Sequence, residues 1–486
     1  MPHTLPRLFG PSVVATVAAL GLACATNPVT GERQFTMMSE AQEIGIGQQM
    51  DPEIRREMGV YDDPALQRYV EEIGLRMARN SQRPELPWSF AVVDTPQVNA
   101  FAVPGGFIYL TRGILAYLND EAQLAGVLGH EIGHVTARHS VEQYSRAAGS
   151  QLGLTLGAIF FPGVRPAVDA AGAGLGLLFL KYGRDAERQS DRLGAEYAAQ
   201  NGWDPAGVMG MLQTLSRMGE ITDRRGTPNW LATHPDPADR VEEVRPVVER
   251  LRSGMSELPV NRDAYLRRID GMVYGDNPRE GVVRGADFLH PDLRFALRFP
   301  EGWTVQNSPT AVVANQPGTT HYVFLQLEQQ PRGRTLEEVA VNSMRNAGLS
   351  VRQGGATSVN GLEAWIGTFT GRVPQLGDTV ARAAFIRHDR NIYRLTGLAS
   401  PQGFPRVEGD IDRTLRSFRS LSRDEAGDIR PNRLAIHTVR QGQTWQSIAQ
   451  GPGQGIVEAS TLAVMNGFPV NEQPRAGDRI KIVVGG

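Results

Sequence analysis

Residues 129–140, "GHEIGHVTARHS", place three histidines and one glutamate in a short stretch of a chain that has nine histidines in all. Each residue of an α-helix turns about 100° around the helix axis. His134 therefore lies one turn beyond His130 on the same face, with Glu131 on its flank. On an uninterrupted helix, His139 would lie on the side opposite His130, so we expect His139 to point away.

The residues around this stretch predict a helix. Asp120 can serve as its N-cap, and the segment "EAQLAGVLGHEIGHVTARH" contains no proline. Apolar residues recur at helical spacing and would bury one face of this helix: Leu124, Val127, Leu128, Ile132 and Val135. The two histidines would therefore be carried by a buried helix.

Histidines at i and i+4 with a glutamate after the first form the pattern HExxH. Neutral imidazoles suit zinc, and one helical turn can bring both rings within about 2.1 Å of one ion. Glu131 would then be placed to take a proton from an attacking water molecule. The alternative is a chance match, with hydrogen-bonded core histidines on a buried helix. The features below favour a zinc site.

A catalytic zinc ion needs a third protein ligand. A third histidine in the pattern HExxHxxGxxH is excluded, because Ala137 and Ser140 occupy those positions. A second predicted helix, residues 181–200, offers Glu187 as a ligand and Asp191 as a hydrogen-bond acceptor for a ligand histidine or an arginine. The alternative is a solvated helix face, with these acids paired to neighbouring arginines. The spacing alone leaves both open.

Four segments together resemble the HtpX and CAAX-prenyl-protease family of zinc metallopeptidases, over roughly residues 35–255. They are "VNAFAVPGGFIYLTRGIL" at 98–115, "GHEIGHVTARHS", the E-x-x-x-D pair followed by Gly194, and "THPDPADR" at 233–240. The resemblance implies a mainly helical, gluzincin-type catalytic domain with a small sheet and one Zn²⁺ per chain. It implies these roles: zinc ligands His130, His134 and Glu187, catalytic base Glu131, and Asp191 supporting the ligands.

The chain departs from the family's common E-x-E-A-D form at Gln189 and Ser190, neither of which is the ligand position. In this family the His-Pro loop and a downstream arginine, here His234 and Arg240, lie near the metal. His234 could stabilise the oxyanion of the tetrahedral intermediate, or occupy the open zinc position at rest. The local sequence also allows a simple turn histidine before Pro235.

The N-terminus resembles a bacterial lipoprotein signal. An apolar run too short to span a membrane ends at Cys24, so we expect a signal peptide over residues 1–23. Gly21 stands where a larger aliphatic residue is usual. Ala25 is not the aspartate that retains lipoproteins at the inner membrane. We therefore expect a periplasmic protein anchored to the outer membrane by a lipidated Cys24; an ordinary secretory signal is the alternative.

Composition excludes some classes of function. The formal net charge of −2 gives no general attraction to nucleic acid, and the single cysteine cannot form an intrachain disulfide. The strongly apolar residues 151–180 are interrupted by prolines and charges, which favours a buried or membrane-touching hairpin over a membrane span.

Two further segments before residue 112 predict a small sheet: "WSFAVVD" at 88–94 and "NAFAVPGGFIYLT" at 99–111, interrupted at Gly105–Gly106. An exposed strand edge beside the zinc helix could take up a substrate chain as an added strand. A simple hairpin turn at the two glycines is equally compatible with the sequence.

The remainder predicts an α+β multidomain chain. Residues 256–284 read as a polar linker. Residues 285–422 resemble a PsbP-like α/β sandwich through "FPEGW" at 299–303, and His290, His321 and His388 are scattered there as structural residues. Residues 434–484 resemble a degenerate LysM module with strand, helix, helix and strand. That resemblance implies contact with peptidoglycan; a purely structural cap is the alternative.

The predicted function is a periplasmic zinc endopeptidase. The family resemblance implies unfolded or misassembled envelope proteins as substrates. The lipoprotein-like signal predicts membrane attachment through the lipid anchor, and the net charge of −2 argues against a nucleic acid partner. The rival prediction is a cell-wall-associated scaffold or chaperone-like lipoprotein with a vestigial or permanently capped zinc site. The intact Glu131 argues against the rival, because a structural zinc site does not need a base.

Overall fold

The computed structural model of the chain describes residues 24–35, 38–143, 182–222, 230, 233–235, 237–254, 258–373 and 376–486. The predicted signal peptide and the apolar segment 151–180 lie outside these residues. Within the described ranges, none of the helices combines the length and the apolar character that a membrane span requires.

The N-terminal half is mainly helical. A hairpin of β1 (Cys24–Thr26) and β2 (Arg33–Phe35) precedes the helices. The helices described after this hairpin include α1 (Glu40–Met58), α2 (Pro64–Ala78), α3 (Arg112–Tyr117), α4 (Glu121–Thr136), α5 (Arg184–Gln200), α6 (Ala206–Thr222) and α7 (Pro237–Arg252). The predicted N-cap of α4 is confirmed, since the Asp120 side chain accepts a hydrogen bond from the backbone N–H of Gln123.

Small residues let α4 and α5 pack at very close range. A Cβ at Gly129 of α4 would lie 2.9 Å from the Cα of Gly194 on α5, and a Cβ at Gly194 would lie 2.9 Å from the backbone nitrogen of His130. Any larger residue at either position would push the helices apart. This close crossing brings the N-terminal part of α5, with Glu187, opposite the histidines of α4.

A three-stranded sheet packs beside these helices. Its strands are β3 (Ser89–Val93), β4 (Ala100–Val103) and β5 (Phe107–Thr111), in the order β3-β5-β4. The hairpin predicted at the two glycines is confirmed, with φ of 88° at Gly105 and 97° at Gly106. Strand β4 is at an edge, but all four of its residues are buried. The exposed edge that we expected is therefore wrong, because apolar clusters cover β4 on both faces.

The described part of the stretch predicted as a linker (residues 256–284), which begins at residue 258, is instead structured. It contains α8 (Arg262–Ile269), β6 (Val273–Tyr274), a 3₁₀ turn (Pro278–Glu280) and β7 (Val282–Arg284). Tyr265, Leu266 and Ile269 are fully buried in the same apolar core as the helices of the N-terminal half. The linker prediction is wrong because the stretch is polar overall, yet α8 has one apolar face that packs onto that core.

The following region is built on two antiparallel sheets. One sheet has four strands in the order β17-β9-β8-β7, and the other has seven in the order β10-β11-β12-β16-β15-β14-β13. Their further strands are β8 (Asp287–His290), β9 (Phe295–Arg298), β10 (Thr304–Asn307), β11 (Ala311–Asn315), β12 (Tyr322–Leu327), β13 (Leu349–Val359), β14 (Leu362–Val373), β15 (Gly377–His388), β16 (Asn391–Ala399) and β17 (Arg419–Ser420).

Three helices accompany these sheets: α9 (Leu336–Asn346), α10 (Phe404–Ser417) and α11 (Arg423–Gly427). Side chains that alternate along β15 enter two different cores, Ala384 and Ile386 with α10, and Ala383 and Phe385 with α9. The region is therefore an α/β sandwich in which one large sheet is covered on both faces.

The C-terminal module, residues 432–484, contains β18 (Asn432–Thr438), α12 (Trp445–Gln450), α13 (Ala459–Met465) and β19 (Arg479–Val484). This confirms the predicted order of strand, helix, helix and strand. Strand β18 pairs with β19 and also with β6, so the module shares a sheet with the stretch before the sandwich.

Candidate metal centre

Four fully buried side chains converge between α4, α5 and the segment before α7: His130, His134, Glu187 and His234. Their potential ligand atoms all lie within 4.8 Å of one another. The Nε2 atoms of His130 and His134 are 3.0 Å apart, and His134 Nε2 is 3.4 Å from Glu187 Oε1. Two imidazole nitrogens and a carboxylate oxygen form the donor set of a catalytic zinc site, so these residues fit that metal.

Asp191 fixes the orientation of His130. Its Oδ1 lies 2.9 Å from His130 Nδ1, so His130 donates from Nδ1 and directs the Nε2 lone pair into the cluster. Arg240 donates to both oxygens of Asp191, at 2.7 Å each. Burial acts to raise the pKa of Asp191, but Arg240 outweighs burial and lowers it. Asp191 is thereby held as a carboxylate, the form that accepts the hydrogen bond.

Arg240 also acts on Glu187 directly. Its Nη1 lies 2.6 Å from Glu187 Oε2, while Glu187 Oε1 faces His134 and His234. Burial opposes ionisation of Glu187, yet the positive charge of Arg240, followed by His234, holds its pKa well below the usual range.

The expectation that His139 points away is wrong. Helix α4 ends at Thr136 and Arg138 has φ of 60°, so the chain turns back and the helical spacing no longer applies. His139 is buried, with its Nδ1 3.1 Å from His134 Nδ1 and its Nε2 2.9 Å from Gln189 Oε1. One set of neutral tautomers satisfies this chain: His134 donates to His139, and His139 donates to Gln189. The Nε2 lone pair of His134 then faces the cluster.

Glu131 lies beside the cluster with an unpaired carboxylate. It is fully buried, and neither oxygen has a hydrogen-bond partner among the described residues. Burial raises the pKa of Glu131, opposed by the neighbouring histidines His234 and His130. Since unpaired buried polar atoms are rare in folded proteins, these oxygens are available to a water molecule or a substrate.

His234 is held by Trp230 and Glu187. Its ring stacks on Trp230 at 4.0 Å between centroids, and its Nδ1 is 3.0 Å from Glu187 Oε1. Its Nε2 is unpaired within the described ranges and lies 3.8 Å from Glu131 Oε1. Burial acts to lower the pKa of His234, but the charge of Glu187 and the hydrogen bond that His234 donates to it raise the pKa overall.

Tyr182 closes the other side of the cluster. Its ring stacks on His134 at 3.8 Å, and its backbone N–H donates to the carbonyl of Thr233, next to His234. Sequence analysis did not identify Tyr182, Trp230 or His139 as site residues. The one available signal was the one-turn spacing between Trp230 and His234. His139 is placed by the turn at Arg138, and Tyr182 contacts His134 and Thr233 from a distant part of the sequence.

The structure thus brings together all seven residues predicted around the metal: His130, Glu131, His134, Glu187, Asp191, His234 and Arg240. Their catalytic and ligand roles remain proposals. Cys24 lies apart from them in the sequence, as the first residue of β1, and its lipidation stays a prediction.

Comparison with known proteins agrees with this geometry. The chain is 30% identical over 226 residues to the beta-barrel assembly-enhancing protease of Yersinia pestis, covering 45% of this chain and 46% of the relative. The Escherichia coli (strain K12) protein of that name is 28% identical over 235 residues, covering 47% and 48%. The mitochondrial metalloendopeptidase OMA1 of Arabidopsis thaliana is 30% identical over 180 residues, covering 37% and 36%. The chain therefore spans about half the length of the curated relatives it matches.

Among solved structures, the cyanobacterial PsbP of Synechocystis sp. PCC 6803 matches 29% of this chain and 95% of its own, at 13% identity and a TM-score of 0.22. The Ran-binding protein Mog1p of Saccharomyces cerevisiae matches 29% and 98%, at 11% identity and a TM-score of 0.23. Scores this low carry no argument about the chain.

A family model gives the remaining comparison. Residues 64–248 match peptidase family M48. This range contains α4, α5 and every residue of the buried cluster together with Asp191 and Arg240. Residues 64–248 are therefore similar to peptidase family M48.

Proposed function

We propose that the chain is a zinc-dependent metalloendopeptidase that hydrolyses peptide bonds of misfolded or stalled proteins in the bacterial cell envelope. The observation that carries this proposal is the buried convergence of His130, His134 and Glu187 beside the unpaired carboxylate of Glu131. Zinc held by the three ligands would supply a Lewis acid that polarises the scissile carbonyl and makes water a better nucleophile.

Glu131 is the proposed base and acid of this reaction. It would accept a proton from the attacking water molecule and return it to the leaving amine. Its burial and its lack of hydrogen-bond partners support this role, because a carboxylate already paired with an arginine would be a poor proton acceptor. Glu187 and Asp191 are paired in this way by Arg240, so the site separates its carboxylates into one free base and two fixed supports.

We further propose that His234 caps the metal in the resting enzyme. Its ligand atom lies within the same 4.8 Å cluster, and the ring is fully buried between Trp230 and Glu187. A capped, closed site would protect unfolded proteins from indiscriminate cleavage. The loop that carries His234 and Pro235 would have to move away from the metal when a substrate docks. The apolar side chains that pack on β4 would also have to move before a substrate strand could pair with it.

Replacing His234 with alanine separates the two roles considered for it. A cap competes with water and substrate, so its removal should raise the steady-state rate of cleavage of an unfolded model protein. An oxyanion ligand acts only in the transition state, so its removal should lower the rate with little change in substrate affinity. A lower rate at unchanged zinc content would contradict the cap.

Location and accessory regions belong to the same proposal. From the N-terminal sequence we propose that the protein lies in the periplasm and is attached to the outer membrane by a lipid anchor at Cys24. Residues 285–422 are proposed as a PsbP-like accessory domain, and residues 434–484 as a LysM-like module that contacts peptidoglycan. The relatives named beta-barrel assembly-enhancing protease support envelope proteins as substrates.

The experiment that tests the activity is degradation of casein by the purified mature chain, with and without a metal chelator. We expect cleavage that the chelator abolishes. Intact casein in both reactions, with zinc present in the purified protein, would favour the scaffold with a permanently capped site.

A further inference from the structure

The corner between α3 and α4 is built by distant parts of the chain. Helix ends leave backbone groups without partners inside the helix, and this corner, residues 115–122, leads directly into the helix that carries His130 and Glu131. Two carbonyls of the corner accept from Lys481 Nζ: Ala116 O at 2.8 Å and Leu118 O at 2.5 Å. Leu115 O accepts from Tyr265 Oη at 2.6 Å, and Asn119 O accepts from Arg262 Nη1 at 2.9 Å. The backbone N–H groups of Glu121 and Ala122 donate to Val260 O, at 3.0 and 3.2 Å.

All of these partners lie outside residues 64–248, the range that matches the peptidase family. Lys481 comes from β19 of the C-terminal module, more than 300 residues along the chain from the corner. The region that matches the peptidase family therefore depends on later segments for backbone hydrogen bonds at the end of α3, in the corner and at the start of its histidine-bearing helix.

Lys481 is unusual in this chain. The sequence has 50 lysines and arginines, of which only Lys181 and Lys481 are lysines. Lys481 is fully buried, and the side chain of Asn466 holds its backbone through two hydrogen bonds, at 2.7 Å to the N–H and 2.9 Å to the carbonyl. Lysine is rare in this sequence, and the one described lysine is held where its amine reaches two carbonyls.

The chemistry of the corner accounts for lysine over arginine. Burial lowers the pKa of the Lys481 amine, an effect that Arg262 reinforces and Asp120 opposes. A lysine amine can still donate two hydrogen bonds when neutral, and two carbonyls are what it meets here. An arginine would stay charged and bring five donors that need acceptors.

The rest of the C-terminal module is packed as tightly. Leu434, Val464, Met465 and Val483 belong to the same apolar core as α4. Leu434 donates to Met272 O at 2.8 Å and accepts from Gly271 N at 2.9 Å. A module attached through a shared core and a shared sheet cannot move without disturbing the helices beneath it.

We propose that the C-terminal module is an intramolecular clamp on the α3–α4 corner, with Lys481 as a positioning residue for the helix that carries His130, Glu131 and His134. The consequence for catalysis rests on the proposed peptidase function; the clamp itself does not. When the clamp loosens, the start of α4 should open more often, and the histidines should release their metal sooner.

The test uses the full chain with Lys481→Met, which keeps an unbranched side chain but removes both donors. The matched control is Arg475→Met, which removes a cation from an exposed position of the same module. Amide hydrogen exchange over residues 113–124 and the rate of zinc loss to a chelator are measured for each. We expect both to be about tenfold faster in Lys481→Met, because two buried carbonyls lose their donor, and unchanged in the control. Equal values in the two variants would overturn the clamp.

Should Lys481→Met fail to fold, exchange in the wild-type protein decides the question. The clamp requires the protected amides of β19 and of α4 to open as one cooperative unit, with the same opening free energy. Amides of β19 that open about a hundredfold more often than those of α4 would overturn it. Neither exchange measurement uses proteolysis, so a chain that never cleaves casein could still confirm the clamp, and an active chain could still refute it.

Discussion

The region that matches the peptidase family, residues 64–248, and the β-rich sandwich, residues 285–422, both bury histidines. Both also contain buried polar atoms without hydrogen-bond partners among the described residues. In the sandwich these atoms are Gln306 Oε1, Asn307 Oδ1, Trp365 Nε1, His388 Nδ1 and Thr396 Oγ1, which belong to four different strands. In the peptidase region, the unpartnered atoms Glu131 Oε1 and His234 Nε2 lie 3.8 Å apart, beside the potential metal ligands His130, His134 and Glu187. Burial of polar groups is common to both regions, and convergence distinguishes the site.

The difference follows from the two kinds of secondary structure. One turn of α4 places His130 and His134 on the same face, and the glycine contact with α5 brings Glu187 opposite them. Successive residues of a strand point to opposite faces, so neighbouring polar residues of the large sheet enter different environments. His290 and His388 accordingly lie singly among aromatic side chains.

The largest effect that tests this contrast is expected for Glu131→Gln. It should leave zinc binding and the fold intact but lower the rate of casein cleavage by about 10² to 10⁴, because only the proton acceptor is removed. The control is Glu142→Gln, which changes a glutamate outside the metal cluster and should cleave casein normally. Cleavage at the wild-type rate by Glu131→Gln would show that the convergence is not catalytic.

A smaller effect is expected on metal binding. Glu187→Ala should lower zinc occupancy, with affinity reduced about a hundredfold or more, since a catalytic zinc site holds few protein ligands. Glu196→Ala, farther along α5 and outside the cluster, should bind zinc as the wild type does. Equal zinc content in all three proteins, measured after dialysis against a weak chelator, would remove Glu187 from the ligand set.

The stability of the sandwich should depend on pH through His290. Burial lowers the pKa of His290 to about 4, against a slight opposing effect of Asp292. The unfolded chain takes up this proton below pH 6.5, while the folded chain stays neutral, so stability should fall as the pH drops from about 6.5 to 4. The full loss is about 3 kcal/mol, at 1.36 kcal/mol per pKa unit.

His290→Asn isolates this effect, because its side-chain oxygen can replace His290 Nδ1 as the acceptor for the N–H of Leu293. The measurement is pulse proteolysis in urea, mapped to residues 285–422, at pH 7 and pH 4.5. The variant should lose less stability than the wild type on acidification. The same pH dependence in both proteins would mean that His290 is not the group responsible.

The smallest effect concerns the support of His134. His139→Phe keeps a ring but removes the acceptor for His134 Nδ1, so zinc affinity should fall about tenfold, as for other partners of metal-binding histidines. Gln189→Ala should have a weaker effect, since it touches only His139. Competition with a fluorescent zinc chelator measures both; unchanged affinity in His139→Phe would leave His139 a packing residue.

Sequence reasoning located most of the candidate site because the important spacings are local. His130, Glu131 and His134 follow from one helical turn, and the family resemblance supplied Glu187, Asp191, His234 and Arg240. His139 was misplaced because the positive φ of Arg138 ends the helical geometry, a feature that depends on tertiary packing. Tyr182 was missed for a similar reason, since its stacking on His134 joins segments that are far apart in sequence. Trp230 lies one turn before His234, and this spacing alone does not identify a site residue.

The fold was predicted least well where composition and packing disagree. Residues 256–284 are polar overall, yet Tyr265, Leu266 and Ile269 form a buried face of α8. The order of elements in the C-terminal module was predicted from its own sequence. Its attachment to the α3–α4 corner through Lys481 was not, because the two carbonyls that Lys481 meets are backbone groups with no sequence signature.

The central claim is that one zinc ion, held by the buried cluster, makes this chain a peptidase. Titration of the metal-free protein with zinc, following bound metal and cleavage of unfolded casein in the same samples, tests it most directly. The account predicts that cleavage rises in proportion to bound zinc and saturates at one ion per chain. Full zinc binding without cleavage, or full cleavage before any zinc is bound, would contradict it.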